Sequence, residues 1–148
     1  MSSSPLKDRF IFEHRVNFHE TDAMGVVHHS NYVRFFESAR VAWINENGLR
    51  EYHYPFANVT LAVLETSTQH FKPAYFNDLL KIALQVRREK LKVRFRYAIY
   101  SERFDSAICT GEILLVPLNQ DNKPTRLPEL LVQLLEKEKW IETWPSNS

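Results

Sequence analysis

Glycine is nearly absent: the 148-residue chain holds only Gly25, Gly48 and Gly111. This excludes a G-x-G-x-x-G dinucleotide fingerprint and a G-x-x-x-x-G-K-[ST] phosphate loop, both of which need clustered glycines to bring backbone against phosphate. A G-x-S-x-G nucleophile elbow is missing too, which removes serine hydrolases of that type. The single cysteine, Cys109, permits no internal disulfide and no cysteine-based zinc site, and reads as a small buried hydrophobe. Nor is charge of one sign in excess: 19 Lys+Arg face 18 Asp+Glu, whereas a nucleic-acid binder carries a basic surplus. No stretch approaches the roughly 18 apolar residues of a membrane span. The polar start Met1-Ser-Ser-Ser-Pro5 leads into no apolar segment of a secretory signal, so a cytoplasmic protein is expected.

What is present suffices for one core. Hydrophobic residues make up 44% and aromatic ones 13%, enough over this length to fill a single compact domain or an apolar pocket. The expected organisation is a flexible N-terminus over 1–9, one domain over 10–140 and a tail over 141–148.

Periodicity supplies the elements. The alternation Phe10, Phe12, His14, Val16, Phe18 predicts a first strand. A polar loop follows, and Ser30 or Asn31 is a favoured N-cap for a helix over about 31–46. Its apolar stripe is Tyr32, Phe35, Phe36, Ala39, Ala42 and Trp43, and Gly48 suits the C′ position. The segment Tyr52–Asn58, marked by Pro55, reads as irregular. Further strands are predicted over 60–71, 81–87 and 91–100, the last with Leu91, Val93, Phe95, Tyr97 and Ile99 on one face. A fifth runs from Ala107 to Val116 and is expected to stop at Pro117. A last helix has Pro128 at N1 and a stripe of Leu130, Leu131, Leu134 and Leu135. The order is that of an α+β fold, one antiparallel sheet wrapped on one long helix.

The densest polar cluster joins the first strand to that helix: His19, Glu20, Thr21 and Asp22, then His28, His29, Ser30 and Asn31. It lies at a helix N-terminus, where free N–H groups and the dipole favour negative charge, so an oxyanion can be held without a glycine-rich loop. Asp22 has two readings, ordinary turn chemistry or a carboxylate facing a substrate carbonyl. His19, His28 and His29 match no metal-binding spacing, and the adjacent His28 and His29 would point apart in an extended segment; no metal site is expected. His29 reads as a hydrogen-bond donor or as a surface cap residue. Lys92, Arg94 and Arg96, with Arg87, Arg88 and Lys90 just before them, form a solvated sheet face or a phosphate-contact surface.

The stretch from Val16 to Arg40, with Thr21-Asp22-Ala-Met-Gly25-Val-Val, His29 seven residues after Asp22, Asn31-Tyr32 and Phe35-x-Glu37-x-Ala39-Arg40, resembles the signature of the hotdog-fold acyl-CoA thioesterases. The similarity is greatest to the 4-hydroxybenzoyl-CoA thioesterase and YbgC-like branch, and it continues more weakly through His70-Phe-Lys-Pro-Ala74, Asn77-Asp78-Leu79-Leu80 and Lys123–Pro128. The resemblance implies a five-stranded antiparallel sheet around a central helix, in a homodimer or homotetramer with active sites at the dimer interface. It implies that Asp22 is the catalytic carboxylate and that the His29 backbone N–H polarises the thioester carbonyl. The His29 side chain is often treated as catalytic in the YbgC-like branch. Gly25, Ser30, Asn31 and Tyr32 would support the loop and helix start, and Arg88 and Lys90 would be candidates for coenzyme A phosphates. No metal or prosthetic group is implied, coenzyme A being part of the substrate. Met24 and His28 stand where the family often has a small residue and Tyr or Phe, which would reshape the acyl pocket. The rivals are a non-catalytic acyl-CoA or acyl-carrier-protein binding or scaffold protein of the same fold and, third, a hotdog dehydratase.

Overall fold

The computed structural model describes residues 9–49 and 59–145. The expectations for the first eight residues and for Tyr52–Asn58 lie outside them. Five strands, β1 (Phe10–Arg15), β2 (Thr60–His70), β3 (Leu79–Glu89), β4 (Lys92–Ser101) and β5 (Cys109–Leu118), form one antiparallel sheet in the order β1-β3-β4-β5-β2. The long helix α1 (Ser30–Glu46) lies on its inner face, and a short helix α2 (Glu129–Lys137) follows the last strand. This is the hotdog arrangement that the resemblance implies.

The alternation in β4 explains how helix and sheet join. Val93, Phe95, Tyr97 and Ile99 are buried in the core, whereas Leu91 sits in the β3–β4 turn and is exposed. From α1, Tyr32, Phe35, Phe36, Ala39, Trp43 and Ile44 descend on that face at helical spacing. Phe36 is fully buried, and its ring stacks on Tyr97 at 4.5 Å and 17°. Gly111 of β5 makes that position possible: a Cβ there would stand 2.3 Å from Phe36 Cε2. The helix ends as its sequence demands. Gly48 takes φ +73°, its N–H bonds the Asn45 carbonyl, and the Leu49 N–H bonds Ile44, closing a Schellman motif over a fully buried Leu49.

Several boundaries differ from expectation for local reasons. β1 stops at Arg15; Val16 is buried, but Phe18 leaves the alternation because Phe18–Glu20 forms a 3-10 turn, and its ring is exposed. β5 does not stop at Pro117. β4 pairs with β5 only as far as Leu115, so the missing N–H costs no ladder bond there, and the Pro117 carbonyl accepts from the Thr125 N–H. Pro128 is the N-cap of α2 and not its first residue.

The outer face of the sheet is not a bare basic surface. Arg94 bonds Glu89 and Glu112, Arg96 bonds Glu112, and Arg87 bonds Glu89 and Glu142. The segment after α2, which includes residues 141–145 of the expected tail, is laid across this face as far as Pro145. Gln85 exchanges two hydrogen bonds with the Ile141 backbone, the Trp144 indole N–H bonds the Tyr97 carbonyl, and Trp144 packs on Ala83 and Ala98. Trp140 lies under the Arg87 guanidinium at 4.2 Å. Among the described residues no helix is long and apolar enough to cross a membrane.

Gly111→Ala forces a methyl into the Phe36 ring, and overpacking of this kind costs about 1–3 kcal/mol. The denaturation midpoint of the variant should fall accordingly; an unchanged midpoint would contradict the packing described.

Candidate active site

The loop before α1 is a miniature hairpin. Thr21 and Val27 form a bridge, the Asp22 N–H bonds the Val26 carbonyl, and the Gly25 N–H bonds the Asp22 carbonyl. Asp22 thus opens a β-turn, and Gly25 follows it at φ +81°, a conformation that penalises any side chain. The Asp22 carboxylate braces the turn through Oδ1, which accepts from the Met24 N–H at 2.8 Å and the Val26 N–H at 3.4 Å. Among the described residues Oδ2 has no hydrogen-bond partner. Turn chemistry and an available carboxylate oxygen therefore coexist in one side chain.

Glu20 fixes this hairpin to the rest of the molecule. Its buried carboxylate accepts from His14 Nε2 at 2.9 Å and from the Asn17 N–H at 2.8 Å. Its carbonyl accepts from the His28 N–H and from Asn31 Nδ2, each at 2.9 Å. A second bridge, Val26 to Tyr75, ties the hairpin to the turn before β3.

The helix start differs from the predicted cap. α1 begins at Ser30, and the N-cap is His29, already in helical conformation at φ −57°, ψ −28°. Neither Ser30 nor Asn31 caps: the Asn31 and Tyr32 N–H groups are taken by the His28 and His29 carbonyls, and the Asn31 side chain turns back to Glu20. His28 does the capping. Its Nδ1 accepts from the Ser30 N–H at 3.2 Å and lies 2.8 Å from Ser30 Oγ. Helical backbone at His29 also overturns the expectation that the two histidines point apart; their rings lie 4.1 Å from each other. Among the described residues the His29 N–H has no acceptor, leaving one donor free at the positive end of the helix dipole.

Beside this helix start is an open hollow of about 270 Å³, bordered by Val27, His29, Tyr32, His70, Phe71 and Lys72. Tyr32 is buried, and its hydroxyl is hydrogen-bonded to the Ala74 backbone; burial first, then Cys109, pushes the phenol up to about 12, so it stays neutral. His70 and Cys109 carry a site contact that the linear pattern did not single out. They are paired in register at the ends of β2 and β5, with Cys109 Sγ 3.8 Å from His70 Nδ1. Burial, then the neighbouring His29, holds the His70 imidazole below its ordinary 6.5. The available signal was parity: residue 70 falls on the inner face of the strand that ends beside the helix.

Arg88 and Lys90 are not brought to this hollow. They flank the β3–β4 turn, where Arg88 Nε donates to the Lys90 carbonyl and Lys90 adopts φ +59°. The register runs from His70 through Cys109 and Ile99 to Ile82, and Arg88 is six residues further, about 20 Å of strand. Among the described residues no three His, Cys, Asp or Glu side chains converge as a metal ion needs.

Residues 16–135 match the profile of the Thioesterase-like superfamily. The chain belongs to that superfamily. Its class is that of the thioester hydrolases. The acyl-CoA thioesterase YbgC of Haemophilus influenzae is 33% identical over 131 residues, which cover 84% of this chain and 92% of that protein. The acyl-CoA thioester hydrolase YbgC of Escherichia coli is 29% identical over 125 residues, 80% of this chain and 89% of that protein. Among solved structures, a DHNA-CoA thioesterase from Staphylococcus aureus superposes with a TM-score of 0.72 at 28% identity, covering 79% of each chain.

The displaced His70 titration has a direction. The unfolded chain protonates this imidazole at the ordinary value, the folded chain only at lower pH, so the stability carried by neutral His70 is full above 6.5 and is lost as pH falls below it. His70→Gln should show a smaller drop in Tm than the unsubstituted protein between about pH 7 and about pH 5. Equal drops would contradict the assignment.

Proposed function

We propose that the protein hydrolyses an acyl-CoA thioester to the free acid and coenzyme A, at the hairpin and helix start just described. The observation that carries this reading is that, among the described residues, one hairpin and helix start hold both an Asp22 carboxylate oxygen with no partner and a His29 N–H with no acceptor. The hairpin and the Glu20 carbonyl tie these two groups into one unit.

In the reaction the thioester carbonyl oxygen accepts from the His29 N–H as it becomes an oxyanion. Loss of one such donor typically costs on the order of 10²–10³ in rate. Two routes use the same Asp22 oxygen. It attacks the carbonyl carbon, expels the thiolate and leaves an anhydride that water cleaves, or it removes a proton from water, which attacks instead. Both need a carboxylate and a fixed oxyanion donor, so the reading requires no resident metal or prosthetic group. Single-turnover hydrolysis in ¹⁸O-labelled water separates them: only the anhydride route, with water attacking the Asp22 carbonyl, places label in the aspartate.

The reading includes a homodimer. No residue of β2 is buried, although it is 11 residues long, and Val63 and Leu64 at its bulge are exposed. A long uncovered edge strand is a template for another chain. A second copy seated there would reach the end of β2, where His70 borders the hollow.

Asp22→Asn should abolish thiol release from acyl-CoA substrates while far-UV circular dichroism and Tm stay those of a folded protein. Turnover near that of the unsubstituted protein would overturn the assignment.

A further inference from the structure

His70 closes β2 with one ring nitrogen engaged and the other open. Cys109 Sγ stands 3.8 Å from Nδ1 and 3.7 Å from the Thr110 carbonyl oxygen. The Tyr32 ring meets the imidazole edge-on at 4.9 Å and 70°. Three elements therefore fix the ring: its own strand, β5 through Cys109, and α1 through Tyr32. The single Cys109 S–H has two acceptors in reach, the Thr110 carbonyl and His70 Nδ1, and when Nδ1 accepts it the imidazole carries its proton on Nε2. Among the described residues Nε2 has no hydrogen-bond partner, and His70 lines the same hollow as the helix start.

The groups around the ring favour its neutral form. Burial first, then His29 at the helix start, disfavours a positive charge on the ring, and Lys72 also borders the hollow. Tyr32 and Cys109, the other titratable neighbours, are both held neutral by burial. In that tautomer Nε2–H is a hydrogen-bond donor without being a cation.

We propose that His70 is a substrate-contacting residue of the thioester site, its Nε2–H, aimed by Cys109 and Tyr32, donating to a polar atom of the acyl-thioester bound in the hollow. The inference rests on the proposed hydrolysis at the helix start, whose His29 borders that hollow. It assigns Cys109 a positioning role, which its buried, small-hydrophobe character alone does not suggest.

The test compares variants by thiol release from acyl-CoA. His70→Phe keeps a ring against Tyr32 and removes the donor, so kcat/KM should fall roughly tenfold, the effect of one hydrogen bond, with Tm within a few degrees. His70→Gln, which keeps an N–H, should recover most of that loss. Cys109→Ala frees the ring without removing its donor and should give a smaller loss than His70→Phe. If His70→Phe does not fold, His70→Leu takes its place against His70→Gln. Unchanged kcat/KM in the donor-less variant, or equal losses with and without an N–H, overturns the inference. Asp22→Asn run alongside separates the two levels: an inactive Asp22→Asn with a fully active His70→Phe sinks only the His70 contact, and full activity in both sinks the hydrolytic site itself.

Discussion

The hydrogen bonds that converge on Glu20 are the constraint on which the site depends. A buried carboxylate is costly unless it is hydrogen-bonded, and Glu20 takes two bonds on Oε1, from His14 of β1 and from the Asn17 N–H that precedes the 3-10 turn. Its carbonyl gathers the His28 N–H and the Asn31 side chain from the helix start. One residue therefore holds a strand end, the hairpin and the N-terminus of α1 in a single arrangement. Without that junction, Asp22 would sit on a loop with no fixed relation to the free donor at His29.

The low glycine content now has a physical meaning. A phosphate cradle or a nucleophile elbow needs backbone that bends sharply at several places. Here only Gly25 is needed for such a bend, because the helix supplies the oriented N–H groups. Gly111 serves packing instead, since the Phe36 ring occupies the space where its side chain would be. The near-balance of charge is likewise built in: the arginines of the outer face are paired with Glu89, Glu112 and Glu142 and partly covered by the chain's own C-terminal segment.

Much of this was legible in the sequence. Alternation in β4 and the Phe35, Phe36, Ala39, Trp43 stripe specify the helix-on-sheet core, because burial on one face imposes periods of two and 3.6 on the chain. The polar cluster from His19 to Asn31 marked the hairpin and helix start that form the candidate site. What escaped was set by a local backbone conformation or by partners distant in sequence. The capping role of His28 depends on helical backbone at His29, and Asn31 is drawn from the cap position by Glu20, eleven residues earlier. Pro117 stays in its strand because β4 no longer pairs beside it. His70 and Cys109 meet only through a sheet register, 39 residues apart, which no local pattern encodes.

The central claim is that this hairpin and helix start cleave thioesters and do not merely bind them. It is tested most directly by incubating the unsubstituted protein with acyl-CoAs from short to long and aromatic, and measuring free thiol and free acid together. The account predicts equimolar release of both over many turnovers for at least one acyl group. Saturable binding across the panel with no thiol released would contradict it.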